Sequence, residues 1–393
     1  MKTNKTFATL SFFGILMVVS AHCNGILNLF GNYFPYNSFF MPMFMFISGY
    51  FFKDKNVETF KSSLNYTKKK IINLMVYYYI WNIIYGLFML ILNNCNMYNL
   101  PINFNLKNIF ILPFFHGQSF NINNPAWFIP TLFMIEIIFL FIRKIQLLIK
   151  KDTQSIFLLF FFIMAIVSVY FSEKNTNIIY SPFKKIGFFL IFFQLGKFYK
   201  EKLEFIENKI NTIYVFTVTI LINIVCIKLF NDINFPSLYN MEGFRDLHPI
   251  IPIITSITGI WFWLRISRIL ATVISENNIF KLISNNTKAI MMHHIFFMAI
   301  FNFILYFGRN LFKLNTFNTN AFKSSCGWYR YFGNSSLFYG SIYIFAGIFG
   351  PLLFVLLEKL VIKIFKKTTE IIKQKYSKKE TLQNGNSINQ TQH

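Results

Sequence analysis

Charge is what this chain has least of. Only 13% of its 393 residues are charged, and the acidic ones number 15. A soluble domain carries about 25%. Cysteine is scarce too: Cys23, Cys95, Cys226 and Cys326 show no paired spacing, which speaks against a cysteine-ligated metal site and a dense disulfide framework. No metal is expected. Neither GxxxxGK[ST] nor GxGxxG occurs, so no nucleotide-fuelled motor is encoded. Long stretches of alternating polarity are missing, which excludes a β-barrel. No internal repeat is visible.

Apolar residues make up 54% of the chain and aromatics 20%, with 54 Phe. Only a bilayer absorbs that much apolar surface. About ten runs are long enough to span, at ~20 residues per helix. They lie near residues 7–27, 36–52, 71–92, 127–142, 155–171, 186–199, 211–230, 250–264, 289–307 and 337–358. The expected fold is all-α, a polytopic transmembrane helical bundle. Residues 1–364 form one membrane domain, and 365–393, basic and then polar, read as a disordered cytoplasmic tail. A net charge of +23 suits nucleic acid, but its distribution does not. With the N-terminus inside, 28 of the 38 Lys and Arg fall in inner segments. That bias makes both termini cytoplasmic and membrane lipid, not nucleic acid, the partner. Lys174, Lys184 and Lys185 in one outer loop oppose the rule, as do four basic residues in 308–336. The first run also imitates a signal peptide, with Val19-Ser20-Ala21 as the cleavage site. Cys95 and Cys326 both fall in outer loops, free to pair or to stay apart.

Ionisable residues inside apolar runs are expensive and mark candidate sites. His22 ends the first run, on a face shared with Ser11 about 16 Å below it. An imidazole there is a base for a hydroxyl proton or an idle interfacial group. His294 belongs to a pair with His293, turned about 100° from it, and shares a stripe with Thr287. The depths conflict: His22 is expected near the outer surface and His294 near the inner one, only about 9 Å above Lys288. Glu136 lies about 13 Å inward from Trp127. It reads either as a structural or protonated acid or as a group that orients a histidine and relays a proton. Ser48-Gly49 ends a run that Pro42 interrupts, lining a cavity or easing helix packing. His116 and His248 read as ordinary loop residues.

Four segments in order resemble the membrane acyltransferase family 3, the ten-span O-acyltransferases of cell-surface glycans. LSFFGILMVVSAHCN resembles the first span, pointing to His22. MFMFISGYFF is similar to the second, with Ser48-Gly49. NPAWFIPTLF resembles the Trp-Phe segment at Trp127. NTKAIMMHH is similar to the late span in which Thr or Ser precedes His by seven residues, hence Thr287 and His294. The resemblance implies catalytic roles for His22 and His294 and substrate contacts for Ser48, Trp127 and Thr287; Glu136 joins the catalytic candidates as an intramembrane acid, and Ser11 the substrate-contact candidates as the residue on the His22 face. One departure is plain: family members carry a basic residue where this chain has Ser11. Lys53–Lys70 and Arg143 are candidates to replace it.

The resemblance implies acyl transfer from acyl-coenzyme A, in the simplest case acetyl, to a glycan hydroxyl at a bacterial plasma membrane. Acyl-coenzyme A would be a co-substrate, with no cofactor bound tightly. A transporter or flippase for a lipid-linked glycan, or a polymerase, is the alternative.

Overall fold

The computed structural model describes residues 4–115, 120–149, 153–235, 238–244 and 248–389. His116 and His393 lie outside them. The described chain is helical, without strands. Among the described residues, eight helices are long and apolar enough to cross a membrane. In order they are α3 (Phe60–Asn94), α4 (Phe128–Leu148, after a 3-10 turn Asn121–Trp127), α5 (Gln154–Lys174), α6 (Ile178–Glu207), α7 (Thr212–Phe230), α8 (Ile251–Ile274), α10 (Thr287–Gly308) and α11 (Ser336–Asn389). Two shorter apolar helices, α1 (Lys5–Ala21) and α2 (Phe40–Tyr50), complete the ten runs read from the sequence. A short helix, α9 (Asn278–Asn285), precedes α10.

Helix α1 is central, packed against α2, α8, α9 and α10. At the rim, α5 and α7 leave Ile156, Leu159, Ile163, Leu221 and Val225 exposed. Such faces suit lipid, not water. Close backbone approach holds α2 to α6. A Cβ on Gly49 would fall 1.9 Å from the Phe193 carbonyl oxygen, and one on Gly196 2.0 Å from that of Phe46. Ser48 Oγ bonds its own helix at Phe44 O, 2.9 Å away. The Ser48-Gly49 pair therefore serves packing, and the substrate role expected of Ser48 finds no support in its contacts.

The polar groups at the α1 N-terminal end are knotted together. Arg143 donates to Asp54 through two nitrogens at 2.9 Å and also reaches Glu201, while Lys197 pairs with Asp54 and Glu201. Burial would raise the Asp54 pKa, but Arg143 and Lys197 outweigh it and hold it at about 2. This contribution to stability is present above the ordinary carboxylate range and fades as pH falls through about 2.

Three expectations change. Lys184 and Lys185 belong to buried α6 positions, bonded to the carbonyls of Asn175 and Phe115 at 2.7 and 3.2 Å. Two of the three lysines that opposed the charge rule are thus built into the interior. Residues 365–389, expected to be disordered, continue α11 as helix. The sequence beyond Pro351 contains no proline to stop it. Cys95 and Cys326 are both free thiols, with Cys95 exposed and Cys326 buried. A maleimide added to the solubilised native protein should therefore label Cys95 alone. Cys23, Cys226 and Cys326 should react only after denaturation, and labelling of Cys326 in the native protein would contradict the packing of its loop.

Candidate active site

Helix α1 ends beneath a tight reversal. The amides of Cys23 and Gly25 both bond Ser20 O, at 2.8 and 2.9 Å. Asn24 and Gly25 take positive φ, 58° and 65°, the region glycine enters without penalty. This stop leaves His22 as the C-cap, with its ring beyond the last turn. Helix α10 supplies the second imidazole. His294 is fully buried, and its Nδ1 lies 2.9 and 3.0 Å from the carbonyls of Ile290 and Met291. Carbonyls only accept, so Nδ1 carries the proton and Nε2 keeps the lone pair. That Nε2 has no hydrogen-bond partner among the described residues. The two rings stack, centroids 5.1 Å apart and planes 23° from parallel. Trp328 meets the His22 ring edge-on at 5.0 Å.

The conflict of depths disappears because α10 does not start at the membrane edge. Glu276, just after α8, pairs with Lys5 at 2.6 Å, so the two chains stand level there. Helix α9 then packs against α1, with Phe280 on Phe12, before α10 begins. Lys5 to His22 is about 26 Å of helical rise, and Asn278 to His294 about 24 Å. The short helix lifts His294 to the level of His22.

Above the rings opens a cleft of about 430 Å³. His22, Asn37, Asn124, Trp127, Tyr239 and Trp328 are among its walls. With its amide turned to satisfy its neighbours, Asn124 accepts from the Trp328 indole at 2.8 Å. The loop carrying Trp328 is clamped from below. Asn302 donates to the carbonyls of Cys326 and Tyr329 at 3.0 and 2.7 Å and accepts from the Tyr343 hydroxyl.

His293 and His294 separate sharply. His293 is enclosed by two tyrosines, Tyr85 at 2.6 Å from Nδ1 and Tyr77 at 2.9 Å from Nε2. Both of its nitrogens are engaged, and it faces α3. Trp127 stands in the cleft wall. Glu136 does not join the histidines: it is buried with its Oε1 2.6 Å from Lys70 Nζ. Nine residues of α4 carry it about 13 Å from Trp127. The role of orienting His294 belongs to backbone carbonyls instead. Thr287 sits two turns below His294 and Ser11 three turns below His22, with Ser11 Oγ bonded to Phe7 O at 2.8 Å. Neither lines the cleft.

The cation brought to the histidine pair is Arg330, which the sequence reading left in a loop. Its Nε donates to His22 O at 3.0 Å, one terminal nitrogen to the carbonyls of Gly327 and Tyr329 at 2.7 Å, and the other to Met298 sulfur at 3.0 Å. The guanidinium also lies over the Tyr343 ring. None of these partners is a carboxylate, so among the described residues no ion pair neutralises the charge. Lys70 and Arg143, considered as replacements for the missing basic residue, are committed to Glu136 and to Asp54 with Glu201. A signal for Arg330 was present: an arginine among Trp328, Tyr329 and Tyr331, on the side where basic residues are few.

A model of the acyltransferase domain family, family 3, matches residues 10–356. The chain belongs to that family. It is a multi-pass membrane acyltransferase that transfers acyl groups other than aminoacyl groups. No curated protein and no solved structure matches it.

Two outcomes are expected. His294→Ala should cut turnover about 100-fold, the scale of a small misplacement of a reacting group, because the His22 ring loses the imidazole stacked behind it. His293→Ala should instead lower thermal stability, because each orphaned tyrosine hydroxyl costs about 1–3 kcal/mol, while the folded fraction stays active. Reversed results would exchange their roles. Arg330→Gln should lower kcat more than tenfold with donor KM unchanged, and Arg330→Lys should recover part of it. Equal loss in both would reduce Arg330 to a fork that holds the loop.

Proposed function

We propose that this protein is an integral membrane O-acyltransferase that moves an acetyl group from acetyl-coenzyme A to a hydroxyl of a cell-surface or exported glycan, or of its lipid-linked precursor. The observation that carries the reading is the stacked pair of imidazoles at the foot of the cleft, one facing it and the other with a free lone pair. With both termini in the cytoplasm, as the charge bias requires, the cleft opens outward and the basic rim of loops faces the donor. That rim attracts coenzyme A phosphates by charge. Trp127, Trp328 and Tyr239 offer flat faces to a sugar ring, and the amides of Asn37 and Asn124 are suited to its hydroxyls.

The chemistry needs one proton carrier. His22 accepts the proton of the attacking hydroxyl, whose oxygen bonds to the thioester carbonyl carbon. Arg330, fixed at the His22 carbonyl, puts positive charge near the resulting oxyanion. Collapse of the tetrahedral intermediate breaks the carbon–sulfur bond, and the departing thiolate takes the proton back from the imidazolium. His294, held in one tautomer, stacks behind His22 and keeps its ring in place.

The test is release of free coenzyme A thiol by purified protein in lipid nanodiscs, given acetyl-coenzyme A and a glycan acceptor. His22→Ala should lower glycan-dependent release by a factor of ~10² to 10⁴ with unchanged expression and melting. Near-normal release from His22→Ala removes that residue from the chemistry. Glycan movement across vesicles without thiol release would favour a transporter instead.

A further inference from the structure

Next to the histidine cleft lies a second, smaller compartment of about 230 Å³. Ala21 and Asn37 belong to the walls of both, so the two are immediate neighbours. Its character differs. Asn24, Asn28, Asn32, Asn37 and Asn234 line it together with Tyr36. Asparagines are ordinary in loops, but here five from two separate loops converge on one hollow. Among the described residues, no Asp, Glu, Lys or Arg lines either compartment.

Two of these amides are incomplete. The side-chain oxygens of Asn28 and Asn234 are buried and have no hydrogen-bond partner among the described residues. A buried acceptor without a donor costs about 1–3 kcal/mol, which a hydroxyl entering the compartment recovers when the amide turns toward it. The cradle is already formed. Tyr36 donates its hydroxyl to Leu27 O and accepts from the Leu29 amide at 3.3 Å. Ser20 Oγ takes the Leu27 amide at 2.9 Å, and Asn28 Nδ2 closes on Gly31 O at 3.1 Å.

We infer that this asparagine-lined compartment is a second sugar subsite, which holds an uncharged, hydroxyl-bearing unit next to the one being acylated. The inference deepens the proposed function and rests on its assignment of the acceptor to the cleft. Hydroxyls and primary amides each donate and accept, so they match in either sense. A carboxylate or phosphate only accepts. It would face the two orphan oxygens with like partial charge and, among the described residues, find no cation in the wall of this compartment. The acceptor is therefore a chain of at least two sugars, neutral at this position, and a lone monosaccharide fills only half of the site.

The test is binding, not turnover. The wild-type protein, fluorescently labelled at Cys95 in nanodiscs and without donor, is applied to an array of neutral and uronic-acid-containing oligosaccharides of one to four units. Retention should be confined to neutral chains of two units or more. Asn234→Ala should weaken it about tenfold, roughly the value of one neutral hydrogen bond, and Asn28→Ala similarly. Asn234 is the safer variant, because its side-chain oxygen supports nothing else in the fold. Equal retention of monosaccharides, preference for uronic-acid chains, indifference to both asparagines, or no retention at all would overturn the subsite. Retention of neutral chains by a protein that releases no coenzyme A thiol would leave the subsite standing and defeat the acyl-transfer reading. Glycan-dependent thiol release without the asparagine effect would do the opposite.

Discussion

A hydrocarbon interior offers no hydrogen-bond partner, so a polar side chain there must find one within the protein. The consequences run through the whole bundle. Lys70 and Glu136 find each other across α3 and α4. His293 is enclosed by Tyr77 and Tyr85. Asn302 spends its amide on the loop that holds Trp328. His294 follows the rule with one nitrogen and departs from it with the other. Other buried polar atoms lack a partner among the described residues, Glu136 Oε2 and the Trp263 indole among them, but the His294 lone pair sits beside a second imidazole that lines a cleft, and that combination points to chemistry.

Positioning that pair is the work of parts that do no chemistry. The α1 helix must stop at Ala21, and the reversal through Asn24 and Gly25 stops it there. Helix α9 lies between the Lys5–Glu276 pair and the start of α10, and its eight residues supply about 12 Å of the rise that brings the imidazoles level. Arg330 must arrive from a loop distant in sequence, and Asn302 and Tyr343 hold that loop down. The same reversal that frees His22 also shapes the asparagine compartment. One backbone feature thus serves both the reacting group and the wall that faces its acceptor.

Reading the sequence went furthest where the signal is local. Continuous apolar runs gave the helices, because in a bilayer only helices satisfy the backbone of such a run. The seven-residue spacing from Thr287 singled out His294 over His293; in the fold His293 is held by Tyr77 and Tyr85, and His294 stacks on His22. Glu136 was open to two readings, a structural acid or a partner of the histidines, and its contact is with Lys70. Its cost in the membrane was legible, but which helix would meet that cost was not. Lys184 and Lys185 looked like exposed loop charges because α6 starts earlier than its apolar run suggests.

Composition and periodicity by themselves determined that this is a helical membrane protein, roughly where each helix runs, and that His22 and His294 are out of place in it. These follow from the solvent, which acts on each segment separately. Tertiary structure alone decided that the two histidines meet, that Glu136 is bound to Lys70 and that Arg330 joins the site. It also brought five asparagines from two loops to one hollow. Each of those facts depends on the relative height and rotation of different helices, which side-chain packing sets and no single segment encodes.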